Sequence, residues 1–189
     1  MRDGEALRVA IDLLHVPSRV RVLRTEPLPE GVPLLLQIAA DDDEAVKHAI
    51  AIAGRPQDVV RDAAAFFIEQ VLLCREADSY RVLGASPDAS TGELRSNMAC
   101  LIKWLHPDSD LQGQQSVFVN RVTRAWDDLK TPERRAAYDR RQPRDRDRAG
   151  RRQDGRASGR PSSSRGKRET PRRRGILQAL RLLLRGTTR

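Results

Sequence analysis

The chain places an imidazole, a proline ring and a carboxylate side by side at His106-Pro107-Asp108. A histidine beside a carboxylate can act as an acid–base pair, but a catalytic site also needs a nucleophile or an oxyanion donor, and the sequence suggests neither nearby. The carboxylate of Asp108 could instead form a bidentate pair with an arginine of a binding partner. The plainest alternative is a turn that ends a helix, because proline disfavours helical geometry in the preceding residue.

The other residues that could carry chemistry show no pattern of a reactive site. His15 and His48 are scattered, and Cys74 and Cys100 are isolated cysteines without metal-ligand spacing. The cysteines are typical of buried or half-buried thiols in a reducing compartment. The chain contains no glycine-rich phosphate loop and no nucleophile elbow. We therefore expect no metal site, no cofactor and no enzymatic activity of its own.

The residues on either side of the tripeptide predict two helices that form an antiparallel hairpin. Ser90 and Glu93 have the spacing of a capping box at the start of the first helix, which should end near Leu105 or His106. The second helix is predicted from about 115 to 129, after a connection of about eight to ten residues. The apolar stripes are Leu94, Met98, Leu101 and Leu105 on the first helix, and Val119, Val122, Ala125, Trp126 and Leu129 on the second.

Two short helices are predicted to flank this hairpin. The segment from Asp78 to Gly84 is typical of a short helix ended by glycine. After the hairpin, Thr131-Pro132-Glu133 supplies an N-cap, a proline at the first helical position and an acid in the first turn. We expect Tyr138 to anchor the end of this last helix.

Residues 1–77 predict a small helical module of unknown role that packs on its neighbour. The segment from Pro17 to Pro33 contains four prolines and is predicted to be irregular, with a possible short strand at 20–23. Asp43 is a candidate N-cap, and Gly54 should end the helix that it begins. The predicted helices are Glu5–Leu14, Leu34–Ala40, Asp43–Ala53 and Pro56–Leu73.

The last fifty residues are strongly basic. Residues 140–189 contain 18 Lys and Arg against 4 Asp and Glu, whereas residues 1–139 contain 17 against 22. The segment 141–174 has almost no apolar residues, so we expect it to be disordered, and 175–189 predicts a short basic amphipathic helix. Such a tail could bind nucleic acid or an acidic membrane surface, or serve only to keep the chain soluble. The end helix is compatible with membrane contact or with a partner's groove.

Segment 78–140 resembles a J-domain, the module that defines the DnaJ co-chaperones. The resemblance implies an all-α fold in which two antiparallel helices carry the tripeptide in their loop and two short helices flank them. It rests on features in family order: Tyr80 with Leu83-Gly84, Pro87-Asp88-Ala89, Glu93-Leu94-Arg95, Leu101, His106-Pro107-Asp108, Val122, Ala125-Trp126, Leu129 and Arg135-Ala136-Ala137-Tyr138-Asp139.

The resemblance also implies a function. J-domains dock on an ATP-bound DnaK-class chaperone and stimulate its ATP hydrolysis, without performing bond chemistry themselves. By this resemblance Asp108 pairs with a partner arginine, Pro107 fixes the loop backbone, and His106 bonds within the loop and packs on the partner. The basic residues Arg95 and Lys103 of the preceding helix complete the expected chaperone-binding set.

The helix before the tripeptide departs from the family pattern. Many J-domains carry several basic residues on this helix, but here only Arg95 and Lys103 remain. Trp104 holds a position that is commonly basic, and it could be either an exposed anchor or a residue that packs on the N-terminal module. With fewer charges we predict weaker or slower docking, or a specialised partner. The family's usual aromatic, basic and basic positions are held by Met98, Ala99 and Cys100.

The predicted organisation is a module at 1–77, a J-domain at 78–140, a disordered linker at 141–174 and a basic helix at 175–189. The leading hypothesis is a co-chaperone of a DnaK-class ATPase, and the alternative is a nucleic-acid or anionic-surface binding protein with the J-domain as scaffold. The start of the chain lacks a signal-peptide pattern, and no apolar run reaches about 18 residues, so we expect a cytoplasmic protein.

Overall fold

The computed structural model describes residues 4–105 and 115–142. The tripeptide at 106–108, residues 143–174 of the predicted linker and the predicted end helix lie outside the described residues. Residues 141 and 142, predicted to begin the disordered linker, instead form the end of a helix. All regular elements within the described ranges are helical, as predicted for an all-α chain. They are α1 Gly4–His15, a 3₁₀ turn Pro17–Arg19, α2 Val20–Leu23, α3 Val32–Ala39, α4 Asp43–Ala53, α5 Gln57–Phe67 with a π-helical extension Ile68–Leu72, α6 Ser79–Val82, α7 Thr91–Trp104, α8 Gln115–Leu129 and α9 over 132–142.

The four helices predicted for residues 1–77 are confirmed, with two local corrections. The strand predicted at 20–23 is wrong, because Val20 and Leu23 are buried one helical turn apart while Val22 is exposed. The N-cap of α4 is Asp42 rather than Asp43, since the Asp42 carboxylate accepts hydrogen bonds from the backbone N–H groups of residues 44 and 45 at 3.1 and 3.0 Å. Gly54 ends α4 with φ +59°, as predicted.

The buried side chains form one hydrophobic core that continues across residue 77. Helices α1, α3, α4 and α5 pack on one another, and α3 also packs against α7. The N-terminal module therefore packs directly on the segment that follows it. The largest fully buried side chains come from both parts: Leu7, Leu13, Leu35, Leu36, Ile38, Phe67, Ile68, Leu72 and Leu73 from the first, and Leu83, Leu94 and Leu101 from the second.

The predicted capping box at the start of α7 is confirmed. The backbone N–H of Ser90 donates to Oε2 of Glu93 at 2.7 Å, and the N–H of Glu93 donates to Oγ of Ser90 at 3.2 Å. The hydrogen bond from the Ser90 backbone holds the pKa of the Glu93 carboxyl below its usual value. The helix ends at Trp104, with Leu105 as its C-cap, which is where the following proline predicts the end.

Candidate docking site

Two of the five predicted binding residues lie within the described ranges, and they share one solvent-exposed face of α7. Arg95 and Lys103 are exposed, and Ala99 and Ile102 lie between them on the same face. Neither cation has an ion-pair partner among the described residues. Among the described residues, this face therefore presents two cations that are exposed to solvent. The other three predicted binding residues, 106–108, follow the C-cap directly in the sequence.

A second face of α7 is buried, and it contains a polar residue that the apolar stripe did not predict. Asn97 is 5% exposed, and its Nδ2 donates to the backbone carbonyls of Leu83 at 3.0 Å and Gly84 at 3.4 Å. These bonds fix α7 to the turn after α6 and satisfy acceptors that burial would otherwise leave unpaired. The sequence spacing could have predicted this burial, since Asn97 lies three residues after Leu94 and four before Leu101, within the apolar stripe.

Cys100 and Trp104 adjoin Asn97 on the same side of the helix. Cys100 is half-buried, and burial raises the pKa of its thiol; the charge of Lys103 lowers that pKa, and the charge of Asp42 raises it further. Cys100 packs against the shared hydrophobic core, and helix α3 of the N-terminal module packs against α7. Trp104 is also half-buried and packs against the shared core. Trp104 is therefore not a fully exposed anchor, and its packing on the N-terminal module in particular stays a prediction.

The turn after α6 packs closely against the N-terminal module. Gly84 has φ +61°, and a Cβ added there would lie 2.8 Å from Cγ1 of Val32, 3.3 Å from Cδ1 of Leu36 and 3.4 Å from Cδ1 of Leu72. Only glycine fits this backbone and this distance without a shift of its neighbours. Arg81 adds polar contacts across the same junction, because its guanidinium donates to the carbonyls of residues 23 and 26.

Arg135 links α9 to α6 and to the loop that follows α6. Its Nε donates to the hydroxyl of Tyr80 at 2.9 Å, its Nη1 donates to the carbonyl of Ala89 at 2.7 Å, and its Nη2 donates to the carbonyl of Pro87. The guanidinium carbon lies 5.3 Å from the centre of the Tyr80 ring, within cation–π range. The Tyr80 hydroxyl donates in turn to Asp139 at 2.9 Å. Burial is the main reason that the pKa of Tyr80 is raised.

Tyr138 ties the same helix to α6, which confirms its predicted anchoring role. Its hydroxyl accepts hydrogen bonds from the backbone N–H of Ser79 at 2.7 Å and from Nε2 of Gln142 at 3.0 Å. The rings of Tyr80 and Tyr138 meet edge to face, with centres 5.8 Å apart. The closing helix is therefore fixed by directional polar contacts rather than by burial alone.

The described residues include neither a cluster of metal ligands nor a helix that could span a membrane. Within residues 4–105 and 117–142, no group of three or more His, Cys, Asp and Glu side chains is placed to hold a metal ion. No helix in the described part of the chain is long and apolar enough to cross a membrane.

The comparison with known proteins identifies the segment that contains these contacts. Residues 78–139 match the family model of the DnaJ domain. Proteins named Chaperone protein DnaJ are similar to it: that of Rickettsia akari is 38% identical over 63 residues, 33% of this chain and 17% of the relative. That of Ruegeria sp. is 43% identical over 65 residues (33% and 17%), and that of Latilactobacillus sakei is 36% identical over 67 residues (35% and 18%). The matches thus span less than a fifth of these curated relatives. No solved structure matches the chain.

Proposed function

Because residues 78–139 form a J-domain, we propose that the chain is a co-chaperone of a DnaK-class ATPase. In this proposal it docks on the chaperone through the tripeptide 106–108 and stimulates hydrolysis of the chaperone's ATP. The observation that carries the proposal is the family match, whose range of residues 78–139 includes the tripeptide. The chaperone hydrolyses the ATP, and the chain itself performs no bond chemistry.

The exposed face of α7 supports this proposal because Arg95 and Lys103 have no ion-pair partner in the part of the chain that the structure describes. Arg95 and Lys103 lie two helical turns apart on the exposed side, immediately before the tripeptide. Cations placed in this way attract an acidic surface and speed association. Asp108 would then accept a bidentate hydrogen-bonded pair from an arginine of the chaperone, with Pro107 restricting the loop backbone and His106 packing beside them.

We further propose that this docking is weak. The matched segment carries 8 Lys and Arg against 9 Asp and Glu, so its net charge offers little long-range attraction. Ala99 and Cys100 carry no charge at positions that are basic in many J-domains. We therefore expect a high half-saturating concentration and a shallow dependence on salt.

The alternative function, binding of nucleic acid or an anionic membrane surface, depends on the basic tail. That tail lies almost wholly outside the described residues, and neither the structure nor the comparisons favour this function. The cytoplasmic location stays a prediction from the sequence.

The test is the steady-state ATPase activity of a DnaK-class chaperone from the same cell, measured with the full chain. We expect stimulation by the unmodified chain and loss of stimulation with His106→Gln or Asp108→Asn. Asp110→Asn is the matched control, since it makes the same change of charge two residues beyond the tripeptide and should leave stimulation intact. Circular dichroism should show equal helix content in all variants. Stimulation that survives both tripeptide changes would contradict the proposed mechanism.

A further inference from the structure

The two sides of α7 differ in what covers them. One side, which we name the open flank, consists of Arg95, Ala99, Ile102 and Lys103, all of them exposed. The other side, the covered flank, consists of Asn97, Cys100 and Trp104, of which the first is buried and the others are half-buried. Residues three, four and seven positions apart share one side of a helix, so each set forms a continuous stripe.

Two observations place the N-terminal module beside the covered flank. Helix α3 of the module packs against α7. Asn97 donates to the carbonyl of Gly84, where an added Cβ would lie 2.8 Å from Cγ1 of Val32 and 3.3 Å from Cδ1 of Leu36, both on α3. Cys100 and Trp104 pack against the hydrophobic core to which both the module and the J-domain contribute.

This arrangement separates the family's basic positions into two groups. Ala99 lies on the open flank, whereas Cys100 and Trp104 lie on the covered flank. A lysine or arginine on the covered flank would have to be partly withdrawn from water, which is unfavourable without a paired charge. The side chains found there are a thiol and an indole, both suited to packing. Packing against the shared core thus fits the uncharged side chains at these two positions.

We propose that the N-terminal module restricts the chaperone to the open flank of α7, where Ile102 supplies an apolar contact between the cations Arg95 and Lys103. This inference rests on the proposed function and specifies its docking surface. Ile102 is 36% exposed and is one of four large apolar side chains that are exposed among the described residues. The open flank also runs directly into the tripeptide. The matching partner surface is acidic at its edges and apolar at its centre.

The first experiment places a lysine on each flank of the full chain. Ala99→Lys adds a charge where the partner can reach it, so we expect the half-saturating concentration for ATPase stimulation to fall by about threefold to tenfold, with unchanged Tm. Trp104→Lys removes packing from the covered flank, so we expect a lower Tm and no gain in stimulation. A Trp104→Lys chain with unchanged Tm, or with improved stimulation, would show that the module does not cover this flank.

The second experiment tests the apolar contact. Ile102→Ala should raise the half-saturating concentration by about fivefold, because an apolar contact is lost at the interface. Val22→Ala is the matched control, since Val22 is 54% exposed on α2 of the module. It should leave stimulation unchanged. Equal behaviour of the two variants would overturn the role of Ile102.

Failure of this inference can be distinguished from failure of the proposed function. If the unmodified chain stimulates the ATPase and Asp108→Asn does not, the proposed function holds. The comparison of Ala99→Lys with Trp104→Lys then decides whether the module restricts docking. If the unmodified chain gives no stimulation at any concentration, the proposed function fails and the inference fails with it.

Discussion

The J-domain is held together by a polar seam at one end and joined to the N-terminal module by an apolar seam. In the polar seam, α9 meets α6 through hydrogen bonds of Arg135, Tyr138 and Asp139. In the apolar seam, the side chains of Val32, Leu36 and Leu72 fill the space beside Gly84, so that a Cβ added there would lie 2.8–3.4 Å from them. The first seam depends on the direction of individual bonds, and the second depends on the volume that each side chain fills.

This difference determines how each seam can be broken. One hydrogen bond contributes about 1 kcal/mol net, so the polar seam should weaken stepwise as donors are removed. Close-packed cores tolerate added volume poorly, so the apolar seam should fail when a single carbon is inserted. Substitutions that remove atoms therefore test the first seam, and substitutions that add atoms test the second.

The largest effect is expected from Gly84→Ala in the apolar seam. The new Cβ would lie 2.8 Å from Cγ1 of Val32 on a backbone with φ +61°, so we expect a loss of about 2–4 kcal/mol in the free energy of unfolding, measured by urea denaturation. Gly54→Ala is the matched control, because φ is +59° but nothing lies within 4 Å, and it should cost only about 1 kcal/mol. Adding Val32→Ala should recover part of the loss. Equal losses at the two glycines would mean that the seam is not closely packed.

A smaller effect is expected from Arg135→Met in the polar seam. This change keeps a long apolar stem but removes the donors to Tyr80, Ala89 and Pro87, so the free energy of unfolding should fall by about 2 kcal/mol. Arg140→Met, on the exposed side of the same helix, should change it by less than about 0.5 kcal/mol. If both substitutions have the same small effect, the hydrogen bonds at this end do not hold α9 in place.

The smallest effect is expected from Glu69→Gln, in the π-helical extension next to the buried Ile68. Burial raises the pKa of the Glu69 carboxyl above its usual 4.5. The carboxyl therefore favours folding when it is protonated, below about pH 4.5, and this contribution is lost as the pH rises through the raised pKa. We expect Glu69→Gln to raise Tm at pH 7 and to have little effect below pH 4.5. Exposed Glu76→Gln is the control, and a Tm gain that persists at low pH would exclude this explanation.

The sequence predicted two polar contacts of the J-domain correctly, for a physical reason. The capping box of Ser90 and Glu93 and the anchoring by Tyr138 use polar residue types at positions where few alternatives satisfy the backbone. Helix periodicity also predicted the apolar face of α7. Periodicity identifies which side of a helix is buried, but leucines and valines carry no information about which neighbour buries it.

The structure corrected or extended the predictions that depended on how neighbouring parts of the chain pack together. The 20–23 segment has strand-forming valines, but burial of Val20 and Leu23 at helical spacing decided its conformation. Three consecutive aspartates left the N-cap of α4 ambiguous by one residue, and the carboxylate geometry selected Asp42. The covered flank of α7 could not be predicted from its own residues, because it exists only where the module packs.

The most direct test of the central claim, that this J-domain acts on a DnaK-class chaperone through the tripeptide, is single-turnover hydrolysis of chaperone-bound ATP. The chaperone is preloaded with labelled ATP, and the full chain is added at increasing concentration. We predict a rate constant that rises with concentration and saturates, while Asp108→Asn leaves the rate at its basal value. A rate that stays basal at every concentration of the unmodified chain, or that rises equally with Asp108→Asn, would contradict the account.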